Sequence, residues 1–258
     1  MNIIYHPEFL NSNYSQDPAA KKGRILSILE ELKKEDSFNF IEPETARRKD
    51  LNLIHPPEYI DKIYRRNKLL YQIAALAAGA SLKAAEMAWK GESSFALIRP
   101  PGHHASPTSS WGFCFFNNMG IAIENLFKKN KINSAFILDF DLHIGDGNIN
   151  SLKSNSQVSI FNPKARNRKK YLKEVKDTFK DAGEHDILGV SAGFDEHIKD
   201  WGGKLTTEDY KDLGILCRDF SDRKCKGRVF ALLEGGYNHQ VLGQNVRAFL
   251  KGLQKDNT

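Results

Sequence analysis

Phe136-Ile137-Leu138-Asp139-Phe140-Asp141-Leu142-His143-Ile144-Gly145-Asp146-Gly147 opens as an apolar run and breaks into acids and an imidazole at alternate positions. In an extended chain, residues i, i+2 and i+4 share a face, which would put Asp139, Asp141 and His143 on one side. Two carboxylates and a histidine placed together call for a cation between them, and a divalent metal is the simplest one. A loop of solvated acids after a buried strand is the plainer reading of this segment on its own. The choice turns on what other segments send to the same place.

Apolar strands are expected at Ser94 to Ile98, Ala135 to Leu138, Asp186 to Val190 and Arg228 to Leu233. Each runs at once into polar, glycine-containing sequence. The four continuations are Arg99-Pro100-Pro101-Gly102-His103-His104, Asp139-Phe140-Asp141-Leu142-His143, Ser191-Ala192-Gly193-Phe194-Asp195 and Glu234-Gly235-Gly236-Tyr237. Helical patterns lie between them, at Pro57 to Leu70, Gln72 to Trp89, Asn118 to Lys129, Arg166 to Lys180, Thr207 to Ser221 and Gln240 to Leu253. Thr206 or Thr207 supplies an N-cap, followed by Glu208 and Asp209 in the first turn. Alternating strands and helices predict an α/β fold with a parallel sheet covered on both faces. In such sheets ligands bind beyond the carboxyl ends of the strands, where all four loaded segments fall.

The 258 residues, 40% hydrophobic and 27% charged, are those of an ordinary globular chain, read here as one domain over residues 1–258. No apolar run reaches membrane-spanning length, and the opening residues lack a signal-peptide pattern. Cys114, Cys217 and Cys225 form no C-x-x-C pair, which fits a reducing compartment and a cytoplasmic location. A formal charge of +6 comes without any nucleic-acid-binding signature, so no specific nucleic-acid partner is expected. Oligomeric state is left open.

Asp141 and His143 supply two metal ligands, and Asp195 is the natural third from a neighbouring strand end, its alternative role being an N-cap. Three protein ligands leave a position for water. With no thiolate in the set, zinc is the first choice, and iron(II), cobalt or manganese fit the same chemistry. His103 and His104 follow a stiff Pro-Pro-Gly turn and suit acid/base work near neutral pH. Asp139 and Asp146 are spare carboxylates that could orient them. Tyr237, after a glycine pair that admits close approach of a ligand, can donate to a developing oxyanion. Metal-activated water, a histidine base and a tyrosine donor together describe amide hydrolysis.

At this point the chain resembles the histone deacetylase and acetylpolyamine amidohydrolase family. The matching segments are Arg99 to Ala105, Gly112 to Asn118, Leu138 to His143, Gly145 to Gly147, Ser191 to Asp195 and Leu233 to Tyr237, with His55 to Ile60 and Ile4 to Pro7. They occur in family order over nearly the whole chain. The resemblance implies an arginase-like three-layer fold around a mostly parallel sheet of about eight strands. It implies Asp141, His143 and Asp195 as metal ligands and His104 as general acid/base, with His103 as its partner. Asp139 would face His103, Asp146 would face His104, and Tyr237 would be the catalytic tyrosine. Phe113 would form one wall of an acyl-lysine channel, with Gly112 and Gly235 also beside the substrate. A potassium ion is implied at Asp139, at the carbonyls of Asp141 and His143, and at Ser159.

Three departures stand out. Ile144 replaces a second histidine that family members usually carry. The stretch after Ser159-Ile160 reads Phe161-Asn162-Pro163-Lys164-Ala165-Arg166-Asn167-Arg168-Lys169-Lys170, without the proline- and glycine-rich loop that bears the channel's second aromatic wall. No acidic rim residue lies between Asn67 and Gln72. A basic run at the mouth would disfavour polycationic acetylpolyamines and favour neutral or acidic surroundings of an acyl-lysine or small N-acyl amine. Two rival functions remain, a dinuclear manganese ureohydrolase of the same fold and a non-catalytic acyl-binding module. The first would need extra bridging acids and the second would be expected to lose a ligand or the tyrosine.

Overall fold

Seven strands, all parallel, form a single sheet in the order β2-β1-β3-β7-β6-β4-β5. A computed structural model of the chain describes residues 1–254. The strands are β1 (Asn2–Ile4), β2 (Asn39–Ile41), β3 (Ser94–Ala96), β4 (Ala135–Asp139), β5 (Val158–Phe161), β6 (Leu188–Ala192) and β7 (Val229–Leu233). The helices are α1 (Lys22–Leu32), α2 (Arg48–Leu51), α3 (Pro57–Arg66), α4 (Lys68–Trp89), α5 (Asn118–Lys128), α6 (Asp146–Leu152), α7 (Arg168–Asp181), α8 (Thr207–Lys224) and α9 (His239–Leu253).

Burial explains which strands the sequence announces. β3, β4, β6 and β7 are buried at every residue and read as continuous apolar runs, as strands covered on both faces do. The edge strands β2 and β5 are half exposed and carry no such run. The seven parallel strands among the described residues agree with the expected mostly parallel sheet of about eight. α4 packs with α5 and against β3 and β7, while α7, α8, α9 and α1 pack in succession to form the other layer.

The single helix expected over Pro57 to Leu70 is broken. Asn67 is extended (φ −165°), ends α3, and its side chain accepts from the Leu70 N–H to cap α4. The Asn67 to Gln72 stretch is thus occupied with starting a helix.

The alternation after β4 also ends sooner than expected. The strand stops at Asp139, and the chain bends through 141–143. Asp139 and Asp141 turn to the site, while Phe140 between them is buried against Phe194, Tyr210 and Phe249. Asp141 Oδ1 accepts from the His143 N–H at 3.0 Å, and this local turn brings His143 round.

Candidate active site

Asp141, His143 and Asp195 meet at the carboxyl ends of β4 and β6, each offering a ligand atom within 4.8 Å of the others. His143 Nδ1 lies 3.2 Å from Asp141 Oδ1 and 3.4 Å from Asp195 Oδ2. The backbone sets both acids: Gly235 N–H donates to Asp141 Oδ2 at 2.8 Å and Leu142 N–H to Asp195 Oδ1 at 3.0 Å. Gly235 is required there, because a Cβ would sit 2.5 Å from Asp141 Oδ2 and 2.6 Å from Asp195 Oδ2.

This geometry asks for a positive charge. Burial and the neighbouring Asp141 charge push Asp195 up to about 7. Hydrogen bonds to Asp141 and Asp195 push His143 up to about 10, so without a metal a proton on the imidazole neutralises the acids. Asp195 Oδ2 is buried and accepts from no backbone N–H, with His143 Nδ1 at 3.4 Å as its ion-pair partner. An all-nitrogen-and-oxygen set of two buried acids and an imidazole fits zinc or iron(II), and Asp141, His143 and Asp195 would hold it.

The two histidine–carboxylate pairs form as the sequence suggests. His103 Nδ1 lies 3.2 Å from Asp139 Oδ2, and His104 Nδ1 lies 2.7 Å from Asp146 Oδ1. The surroundings drive them apart. Burial opposes charge on His103, yet the nearby Asp141 and Asp139 outweigh it and raise its pKa. Burial, together with His103, lowers His104 to about 4 and keeps it neutral. Asn148 donates to Asp139 Oδ2 at 3.2 Å and to Ser191 Oγ at 3.1 Å, steadying the His103 partner.

Tyr237 stands on a braced turn after β7. Buried Arg24 of α1 reaches across to the carbonyls of Glu234 and Gly236, and Asp200 Oδ2 accepts from the Tyr237 and Asn238 N–H groups at 2.8 and 2.7 Å. Glu234 Oε2 accepts from the Gly102 and His103 N–H groups at 2.8 and 3.2 Å, tying this turn to the histidine turn. Phe113 meets Tyr237 edge-on with ring centroids 6.0 Å apart.

Two tryptophans that the sequence reading passed over complete the mouth. Trp111, 53% exposed, stacks on His104 at 3.7 Å, and Trp201, 54% exposed, stacks on Tyr237 at 3.9 Å. Both approach His143 edge-on at 6.3 Å. An exposed aromatic ring thus reaches Tyr237 from the turn after β6, where a tryptophan in Asp200-Trp201-Gly202-Gly203 was the available signal. Within the basic run, the Lys164 and Ala165 N–H groups donate to Glu174 of α7 and Arg168 pairs with Asp209 of α8 at 2.7 Å, while the Lys164, Arg166, Lys169 and Lys170 residues are exposed.

Ser159 is not brought to the implied potassium ligands. It is an exposed residue of β5 paired with Phe136, three positions before Asp139, and its Oγ lies 3.3 Å from His185 Nε2. Asn162 is the residue from this segment that reaches the site loop, accepting from the Gly145 N–H at 2.7 Å. Strand pairing, invisible in the sequence, decides which residue of the edge strand faces the centre.

A parallel α/β sheet gathers at its carboxyl edge a group of residues that could hold a metal ion, together with paired histidines and a braced tyrosine. The histone deacetylase domain model matches residues 18–183 and 162–253, and the chain belongs to that family. A protein of Methanothermobacter thermautotrophicus described as a probable deacetylase is 28% identical, with 98% of this chain and 90% of the relative covered. A probable deacetylase of Archaeoglobus fulgidus is 26% identical over 92% of this chain and 81% of the relative. The solved HD domain of HDA15 superposes with a TM-score of 0.86 at 21% identity, covering 98% of this chain and 88% of that one, and so shares the fold.

Proposed function

We propose that the protein is a metal-dependent amidohydrolase that removes an acetyl or other acyl group from an amine, either an acyl-lysine or a small N-acyl compound. The observation that carries this reading is the meeting of the Asp141, His143 and Asp195 set with two histidine–carboxylate pairs and Tyr237. When bound, zinc or iron(II) would polarise the acyl carbonyl and acidify a water molecule.

The chain's own groups do the rest. Asp146 occupies His104 Nδ1, leaving Nε2 to take the proton of the attacking water and return it to the departing amine. Being neutral, His104 is ready to act as base. His103, paired with Asp139, contributes a positive charge beside the reacting centre. The Tyr237 hydroxyl donates to the oxyanion, and its high pKa, raised chiefly by burial, keeps that proton in place. Phe113 and the two indoles exclude water around the acyl group.

Cytoplasmic placement belongs to this reading, with all three cysteines as buried free thiols. No helix among the described residues is long and apolar enough to cross a membrane.

The test is a hydrolysis panel of acetyl-lysine peptides, longer acyl-lysines, acetylpolyamines and small N-acetyl compounds, run with and without chelator. A mouse relative, 26% identical and described as a polyamine deacetylase, supports including the polyamines. Chelator-sensitive release of a carboxylic acid is expected, with about one metal per chain. Chelator-insensitive turnover, or none on any amide, would remove the reading.

A further inference from the structure

Trp111 makes contacts that a rim residue has no need of. Its indole Nε1–H donates to Asp146 Oδ2 at 2.9 Å, while His104 Nδ1 meets the other oxygen of the same carboxylate at 2.7 Å. The indole also lies on the His104 ring, with centroids 3.7 Å apart and planes 28° from parallel. One carboxylate is thus divided between two rings that are stacked on each other.

The backbone is shaped for this. Gly112 (φ 56°) and Phe113 (φ 67°) are both left-handed, which folds the segment around His104. A Cβ at Gly112 would run into the His104 ring. Cys114 Sγ then accepts from the His104 N–H at 3.4 Å, so the Trp111 to Cys114 segment holds the histidine from ring to backbone.

An imidazole–carboxylate pair at the water's edge is normally weak and free to swing. The Asp146 side chain is 42% exposed, and besides the Trp111 and His104 rings it is met by the Gly147 backbone N–H of α6. Burial alone would push Asp146 up, but the Trp111 and His104 hydrogen bonds hold it below the usual carboxylate range. The indole is suited to this task because it donates only and does not titrate.

We infer that Trp111 is a positioning residue for the His104–Asp146 pair, fixing the carboxylate and the imidazole plane so that Nε2 stays aimed at the reacting centre. This rests on the reading of His104 as the proton carrier. A residue that only lined the mouth would act on substrate binding, whereas a positioning residue acts on proton transfer.

The experiment compares Trp111→Phe, which keeps a ring and loses the N–H, with Trp111→Ala, which loses both. Because general acid/base catalysis supplies roughly 100- to 10,000-fold, kcat is expected to fall roughly tenfold in the first and further in the second, with KM within about twofold. In an Asp146→Asn background the Trp111→Phe substitution should cost little more, since both remove the same arrangement. A Trp111→Phe effect confined to KM, or one that multiplies fully with Asp146→Asn, overturns the inference. A second readout needs no turnover: NMR exchange of the His104 Nδ1 proton, assigned by its loss in His104→Gln. It is expected to be slow in the wild type and faster in Trp111→Phe. Equal exchange in the two proteins overturns the inference. A wild type inert on every amide would overturn the proposed function alone, leaving exchange to decide the role of Trp111.

Discussion

Asp195, buried and with its Oδ2 3.4 Å from His143 Nδ1, makes the most direct prediction at this site. Ligand binding to the folded state alone stabilises by about 2.7 kcal/mol when the ligand is at 100 times its Kd. Zinc should therefore raise the melting temperature of the wild type, and Asp195→Ala should abolish that rise; a variant that still responds would take Asp195 out of the ligand set. Tyr237 makes a separable prediction. Tyr237→Phe should lower turnover roughly 100- to 1,000-fold, the usual loss for one oxyanion donor, while zinc still raises the melting temperature. Wild-type activity in that variant would end the proposed oxyanion role. The two acids, three histidines and the tyrosine of the candidate site were picked out because each lies in a polar, glycine-containing segment just beyond an apolar strand. Trp111 and Trp201 were not, since the ring an indole stacks on depends on how separate loops meet in space. Ser159 failed for a related reason: the resemblance to the family aligned it with a potassium ligand, whereas strand register puts it beside Phe136.

Helix α8 shows how local signals carry over to an element. Thr206 is its N-cap, and Asp209 Oδ2 accepts from the Thr206 N–H at 2.6 Å and its hydroxyl at 2.8 Å. Burial would raise the Asp209 pKa, but Arg168 and these Thr206 groups hold it down. A carboxyl with a lowered folded pKa adds stability above its unfolded value, and that stability is lost as pH falls through the folded pKa. Asp209→Asn should cost about 1 kcal/mol at neutral pH, the usual worth of a cap, and the difference should shrink below about pH 4. Equal stability of the two proteins at pH 7, by urea unfolding, would discard the capping role. Strong caps and long apolar stretches made α4, α5, α8 and α9 readable. β1 and β2 were missed because three residues hold too little pattern, and the break between α3 and α4 was expected after Leu70 rather than at Asn67, which interrupts the chain for a single position.

Across the whole molecule, β7 lies between β3 and β6. It also ends in Glu234, which holds the histidine turn, and in Gly235, which holds Asp141. The interior depends on the same closure: Phe140 packs on Phe249 of α9, and Phe140→Ala should cost about 3–5 kcal/mol in urea unfolding. A loss under 1 kcal/mol would show that this contact is dispensable. The parallel pattern and the site's position were readable from strand ends, but the strand order was not, because apolar runs do not say which neighbour they choose. That order has a consequence for a chain emerging from the ribosome. Until residues 229–233 have been made, β1, β2 and β3 have no strand joining them to β4, β5 and β6. Until its seventh strand arrives, the nascent polypeptide has Asp141, His143 and Asp195 on one side of an open sheet and the His103-His104 turn on the other, without the Glu234 and Gly235 contacts that lock the two together.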